Sequence, residues 1–257
     1  MSVSAEAAVV RAVRNEYAKM RHLRIGLVAA LLVLGVCALT VVTAMNSGLA
    51  LHRLDDGYGW RLLMVSLHGA VTLAAPLLLA VMASRQVEVE HSGQGWMASA
   101  TAGTTPGRLC WAKLLALGSI ISPMPAAWGA LVLVVGRAVG LTAPVPAARL
   151  LALVVGLTVV DLAVLGTQLL ISARTENQLG PLALGLIGIL LSVFSQAMPL
   201  WMRHLSPWTT FGLMVPADFV GTDLVDLHMH LVNLAVLAGI GAALFALITT
   251  HLDRLEV

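Results

Sequence analysis

Six long apolar stretches, roughly 25–45, 62–84, 114–136, 150–173, 179–200 and 231–250, divide the chain, and most polar residues lie between them. Each stretch is a continuous run of Leu, Val, Ala and Ile with no period-two alternation. About 20 such residues cross a hydrocarbon core of about 30 Å as a helix. In lipid, every backbone N–H and C=O must be satisfied internally, which leaves helices or closed barrels. The missing alternation selects helices. The pattern predicts an all-α integral membrane protein: six transmembrane helices in one domain over residues 1–257. No internal repeat, heptad tract or low-complexity linker subdivides it.

The segments between the runs predict the rest of the architecture. Over residues 1–24, Val9, Val13, Tyr17 and Met20 fall on one side of a helix and Arg11, Arg14 and Arg21 on another. This is either an amphipathic helix lying along the membrane surface or a solvated positive flank that only sets orientation. Its basic residues precede any long apolar core, so it is not a cleavable leader. Residues 85–113, RQVEVEHSGQGWMASATAGTTPGRLCWAK, form a mostly polar insertion between the second and third spans. Glu88 and Glu90 follow the second span, Ser92 to Gly95 is turn-like, and Trp96 to Ala102 is a short helix-capable piece. Pro106 then breaks the chain before Arg108 and Lys113 lead into the third span. The expectation is a short cytoplasmic helix through which a soluble partner pushes on two spans at once.

Residues 202–230 contain SPWTTFGLMVPADF, apolar and aromatic but interrupted by Pro207, Gly212 and Pro216. This stretch is too short to cross, and is expected to dip into the outer leaflet, to pack over the bundle, or to form an ordered surface loop.

Charge sets the expected orientation. With a cytoplasmic N-terminus, the inner side holds Arg11, Arg14, Lys19, Arg21, Arg24, Arg85, Arg108, Lys113, Arg174 and Arg254. The outer side holds only Arg53, Arg61, Arg137, Arg149 and Arg203. Lys and Arg favour the inner side, so both termini are expected inside. Trp60, Trp201 and Trp208 then fall near the outer interface, Trp96 and Trp111 near the inner one, and Trp128 mid-span. Composition agrees: 59% of residues are hydrophobic and 11% charged, against about 25% charged in soluble domains. A net charge of +2 gives no electrostatic footprint for nucleic acid. Cys37 and Cys110 read as small packing residues.

The chain carries no Gly-x-x-x-x-Gly-Lys-Ser/Thr loop, His-Glu-x-x-His helix, Gly-x-Ser-x-Gly elbow or Cys-x-x-Cys pair. It is not expected to be an enzyme or to bind a cofactor. Small residues (Gly180, Gly185, Gly188, Gly239, Gly241) predict close helix approach in the fifth and sixth spans. Pro76, Pro123, Pro125 and Pro181 predict kinks or helix starts.

A charged side chain mid-membrane costs about 2.5–3.5 kcal/mol on insertion scales, so Asp161 asks for a reason. Helical spacing places Thr158, Asp161, Leu165, Gln168 and Ser172 along one side of the fourth span. Asp161 and Gln168, with Gln196 on the fifth span, form either a substrate pathway or subunit interface, or hydrogen bonds that hold the bundle together. Ser192, Ser195 and Gln196 are candidate partners for Asp161. His68 reads as a bundle residue. If helical, Asp223, Asp226 and His230 would share a side beside His228, the geometry a divalent metal would need; the alternative is an ordinary polar helix start.

Glu16 and Lys19 in the N-terminal helix, the Glu88-x-Glu90 pair, Trp96, Pro106, Arg108 and Lys113, with six spans and an apolar outer hairpin, resemble permease subunits of type-2 ATP-binding cassette (ABC) exporters. The likeness extends to those serving bacitracin and lantibiotic export or self-immunity. The resemblance implies that 85–113 carries a coupling helix docking on a separate ATPase, which holds the ATP and Mg. It also implies that two permeases, identical or not, pair in a bacterial plasma membrane among its lipids. The substrate would be a peptide antibiotic or lipid-like amphiphile. The residues leave two other readings open: an ion-coupled carrier using Asp161, and a haem- or metal-handling protein using His68, His228 and His230.

Overall fold

A computed structural model describes residues 3–49, 57–93, 95–101, 103–221 and 223–255; Arg53, one of the charges assigned to the outer side, lies outside these. The helices are α1 (Val3–His22), α2 (Ile25–Asn46), α3 (Tyr58–Ser92), α4 (Gly95–Thr101), α5 (Pro106–Ile121), α6 (Met124–Ala138), α7 (Ala147–Arg174), α8 (Leu179–Phe194) and α9 (Leu231–Leu255). Six spans are long and apolar enough to cross a membrane, with α5 and α6 together making the third.

Proline explains that compound span. Pro123 precedes α6 and Pro125 sits in its first turn, so two backbone donors are missing where α5 hands over. The fifth span is shorter than its sequence run, because α8 tightens into a 3₁₀ turn at Ser195–Ala197 ahead of Pro199.

α3 is the axis of the bundle. It packs against α2, α7 and α8, and 67% of its most apolar window is buried, against 11% for α9. α9 therefore runs along the outside. Gly185 and Gly188 allow close approach as expected: an added Cβ would lie 2.7 Å from Ala80 Cβ and 2.4 Å from the Trp208 ring. Gly239 and Gly241 do not, since nothing lies within 4 Å of theirs. Trp60 and Trp208 are buried against the bundle, and Trp201 is 65% exposed.

The last connection caps the bundle at the end opposite α1. Short 3₁₀ turns at Met202–His204 and Thr209–Leu213 lead into an antiparallel hairpin, β1 (Ala217–Val220) and β2 (Asp223–Asp226), with Ala217 opposite Asp226. Irregular backbone leaves carbonyls without ladder partners, and arginines supply the donors. Arg61 of α3 donates to Leu224 O at 2.7 Å. Arg149 of α7 donates to Pro216 O and Leu227 O, and Arg203 donates to Met198 O, Gly212 O and Gln196 O. Asp223 and Asp226 belong to a strand, so the helical spacing that grouped them with His230 does not hold. Among the described residues, no three His, Cys, Asp or Glu side chains are placed to hold a metal ion.

Candidate functional site: a charged clamp on the terminal face

α1, the end of α3, α4, the start of α5 and the end of α9 meet at one end of the bundle, here called the terminal face. α3 is 35 residues long, about 52 Å at 1.5 Å per residue, well beyond the thickness of a hydrocarbon core. Its last turns, carrying Arg85, Glu88 and Glu90, continue the helix past the apolar run. α5 begins eight residues before the sequence boundary at 114, with Pro106 in its first turn and Thr105 as N-cap. Pro106 thus starts a helix where it was expected to break the chain, since its fixed φ and missing N–H suit the first helical position. The insertion shrinks to α4 and the residues flanking it.

Helical spacing on α1 puts Glu16 and Lys19 one turn apart, and both point at the gap between α3 and α5. Lys113 Nζ donates to Glu16 Oε2 at 2.8 Å, Glu90 Oε1 at 2.7 Å and Gln86 O at 2.8 Å. All three ammonium protons are used. Lys19 Nζ lies 2.8 Å from Glu16 Oε1 and also reaches Glu90 Oε1, and Gln86 Nε2 donates to Glu16 Oε2 at 2.6 Å. Two carboxylates and two ammonium groups cancel, which is how Lys113 and Gln86 (0% exposed) and Glu90 (1%) tolerate burial. Burial alone would lower the Lys19 pKa, but the hydrogen bonds and charges of Glu16 and Glu90 outweigh it and hold the ammonium above its ordinary value. Tyr17 OH adds a bond to Ser119 Oγ on α5. α1 is therefore fastened to both spans that flank α4.

α4 is pressed against the clamp. A Cβ added to Gly95 would meet Glu90 Oε2 at 2.1 Å and Glu90 Cα at 2.9 Å, so this approach requires glycine. Trp96 meets the His91 ring edge-on at 5.8 Å, and His91 Nε2 donates to Ser172 O of α7 at 3.1 Å. On the other side, Asp253 Oδ1 of α9 accepts from the Gly107 N–H at 2.6 Å, placing a carboxylate at the positive end of α5. Trp111 Nε1 donates to Thr249 Oγ1 at 3.1 Å. α4 itself has no buried residue, and Met97 is 67% exposed.

These positions change the expected docking set. Glu88, Arg108 and Met97 are exposed and Trp96 is half-buried, whereas Pro106, Glu90 and Lys113 are buried. Glu90 and Lys113 are buried and paired within the chain, beneath the surface that α4 presents. Gln86, Gly107 and Asp253 belong to the assembly and were not anticipated. One signal was available. The chain has only two lysines among its 15 basic residues, and both are here, where a compact three-donor ammonium fits and a planar guanidinium does not.

The intramembrane polar residues do not converge. Asp161 and Gln168 are buried on one side of α7, and Asp161 Oδ1 and both amide atoms of Gln168 have no hydrogen-bond partner among the described residues. Ser192 and Ser195 donate to Gly188 O and Ser192 O of their own helix, so they do not pair with Asp161. Gln196 lines a separate cavity whose walls include no α7 residue.

Residues 12–192 match the sequence profile of the ABC-2 family transporter protein. The chain belongs to this family. The match contains Glu16, Lys19, Gln86, Glu90 and Lys113, and leaves the hairpin cap and α9, with Thr249 and Asp253, outside it. The permease is thus a multi-pass membrane component of an ABC transporter, with ATP hydrolysis assigned to an ATPase partner. No curated protein matches the permease.

Proposed function

We propose that this permease is the transmembrane half of an exporter in which a separate ATP-binding cassette subunit, carrying ATP and Mg, grips α4 on the cytoplasmic face. The observation that supports it best is the Glu16–Lys113–Glu90 clamp. It joins α1, α3 and α5 into one body, so force applied at α4 reaches the second and third spans together. Closure of the ATPase pair then switches the bundle between two states. The bias of Lys and Arg toward the terminal face supports a cytoplasmic location for both termini. Two permeases pair around the path in a bacterial plasma membrane, and the resemblance to bacitracin and lantibiotic permeases supports an amphipathic cargo, a peptide antibiotic or lipid-like molecule, moved outward.

The test is co-purification with a candidate ATP-binding cassette ATPase from the same genome. Wild type should form a complex that stimulates ATP hydrolysis. Met97→Asp, on the exposed side of α4, should cut that stimulation about tenfold or more, as loss of an interfacial anchor does. If no complex forms, or if Met97→Asp and Trp96→Ala leave hydrolysis unchanged, the reading fails. A cysteine placed at Met97 and labelled from outside intact cells would overturn it equally.

A further inference from the structure

A cavity of about 410 Å³ lies toward the capped end of the bundle, between α2, α3, the end of α8 and the cap. That volume is at the low end for ligand sites, enough for a head group and the first part of a chain. No Asp, Glu, Lys or Arg lines it, so a charged head would be desolvated there without a counter-charge.

Its polar groups fall into two sets. The hydroxyls of Thr43, Thr72 and Ser192 donate to carbonyls of their own helices. Among the described residues, no such partner engages Ser47, Ser66, the side-chain amide of Gln196 or one nitrogen of His68. His68 Nε2 lies 2.9 Å from Phe211 O. A carbonyl only accepts, so Nε2 carries the proton and Nδ1 of the neutral ring presents a lone pair. The Phe211 carbonyl thereby leaves Nδ1 of His68, a residue that lines the cavity, as an acceptor. At the mouth, Leu73, Val193 and Phe219 are 47%, 44% and 49% exposed, which gives an apolar chain a way into surrounding lipid.

We propose that this cavity binds an uncharged amphiphile with a hydroxyl head, which donates to His68 Nδ1 and meets Ser66 and Gln196 while its chain leaves between Leu73 and Val193. The proposal rests on the reading of the permease as a carrier of amphiphiles and narrows the class of cargo. Gly69 provides the control. It lines the cavity and nothing lies within 4 Å of an added Cβ, so the first side-chain carbon of Gly69→Leu is accommodated and the larger side chain narrows the cavity.

The experiment uses the full chain alone in lipid nanodiscs. One probe is a medium-chain alcohol carrying a diazirine on its chain; the other is its methyl ether, which keeps the acceptor and loses the donor. Photolabelling is mapped by peptide mass spectrometry. The alcohol should label 62–73 about fivefold more than the ether, the factor expected of one net hydrogen bond. Gly69→Leu should abolish that excess with thermal stability intact, and His68→Leu should reduce alcohol labelling to the ether level. Equal labelling by the two probes, or undiminished labelling of Gly69→Leu, overturns the proposal. No ATPase is present, so a permease that stimulates its ATPase yet labels equally refutes the cavity alone. One that labels selectively but binds no ATPase refutes only the transporter mechanism.

Discussion

Lys113 and Glu16 lie 97 residues apart in sequence, yet Lys113 Nζ sits 2.8 Å from Glu16 Oε2 with both side chains at most 1% exposed. The pair fastens the N-terminal helix to the start of the third span. Buried ion pairs add little net stability, but removing one partner leaves an uncompensated charge and costs about 3–5 kcal/mol. Lys113→Met should therefore lower the unfolding free energy by about that amount. Lys113→Arg should recover little of it, since a fork-shaped guanidinium cannot reproduce three converging bonds. Thermal unfolding in detergent, followed by tryptophan fluorescence, checks both.

The junction of α5 and α9 offers a steric test. A Cβ on Gly107 would lie 2.4 Å from Thr249 O and 2.7 Å from Asp253 Oδ1. Gly107→Ala should destabilise by about 1–3 kcal/mol, as overpacking does. Asp253→Ala should cost less, about 0.3–1 kcal/mol, as loss of a carboxylate at a helix N-terminus.

Arg24 joins α1 to α2 at φ 54°, in the left-handed region that costs a side-chain-bearing residue roughly 1–2 kcal/mol. Glycine avoids that cost but loses part of the gain through its freer unfolded chain. Arg24→Gly should stabilise by about 0.5–1 kcal/mol, visible as a higher denaturation midpoint. An unchanged or lower midpoint would mean the Arg24 side chain contributes more than its backbone geometry costs.

Gln168 is buried, and neither of its amide atoms is bonded among the described residues. A buried polar group without partners costs about 1–3 kcal/mol, so Gln168→Leu should stabilise the bundle by that order. If transport falls while stability rises, Gln168 serves movement through the bundle; if both are unaffected, the amide is satisfied in the working protein.

Alkaline pH tests the outer member of the clamp. Lys19 has its pKa raised in the fold, so its contribution is complete below the ordinary lysine range and is lost as pH rises through the raised value. Stability of the wild type should fall on that limb. Lys19→Met should be less stable at neutral pH and show a flatter alkaline decline in the same melting assay.

The spans were legible because each is a continuous apolar run, a signal that depends only on neighbours in sequence. Their ends were less so. Pro106 reads as a break until Thr105 is seen as its N-cap, and residues 85–92 are polar enough to resemble a loop although nothing among them ends a helix. The hairpin had a readable signal, two short β-prone pairs, Phe219–Val220 and Leu224–Val225, on either side of Gly221 at φ +68°, hidden by the apolar stretch before it. The clamp was beyond local reading. Glu90 and Lys113 look like solvated flanks of their spans, and only the convergence of α1, α3 and α5 encloses them. Asp161, Gln168 and Gln196 were grouped by polarity, but the first two lie on one buried side of α7 and the third past the end of α8.

The arginine contacts of the cap carry a mechanical corollary. Arg61 departs from α3 and Arg149 from α7, and both end on backbone carbonyls of the same short segment around the hairpin. Any splaying of those two helices at this end must withdraw one guanidinium from its carbonyls. The hairpin therefore works as a gauge of how far the bundle has spread, and this end cannot widen while both arginines keep their grip.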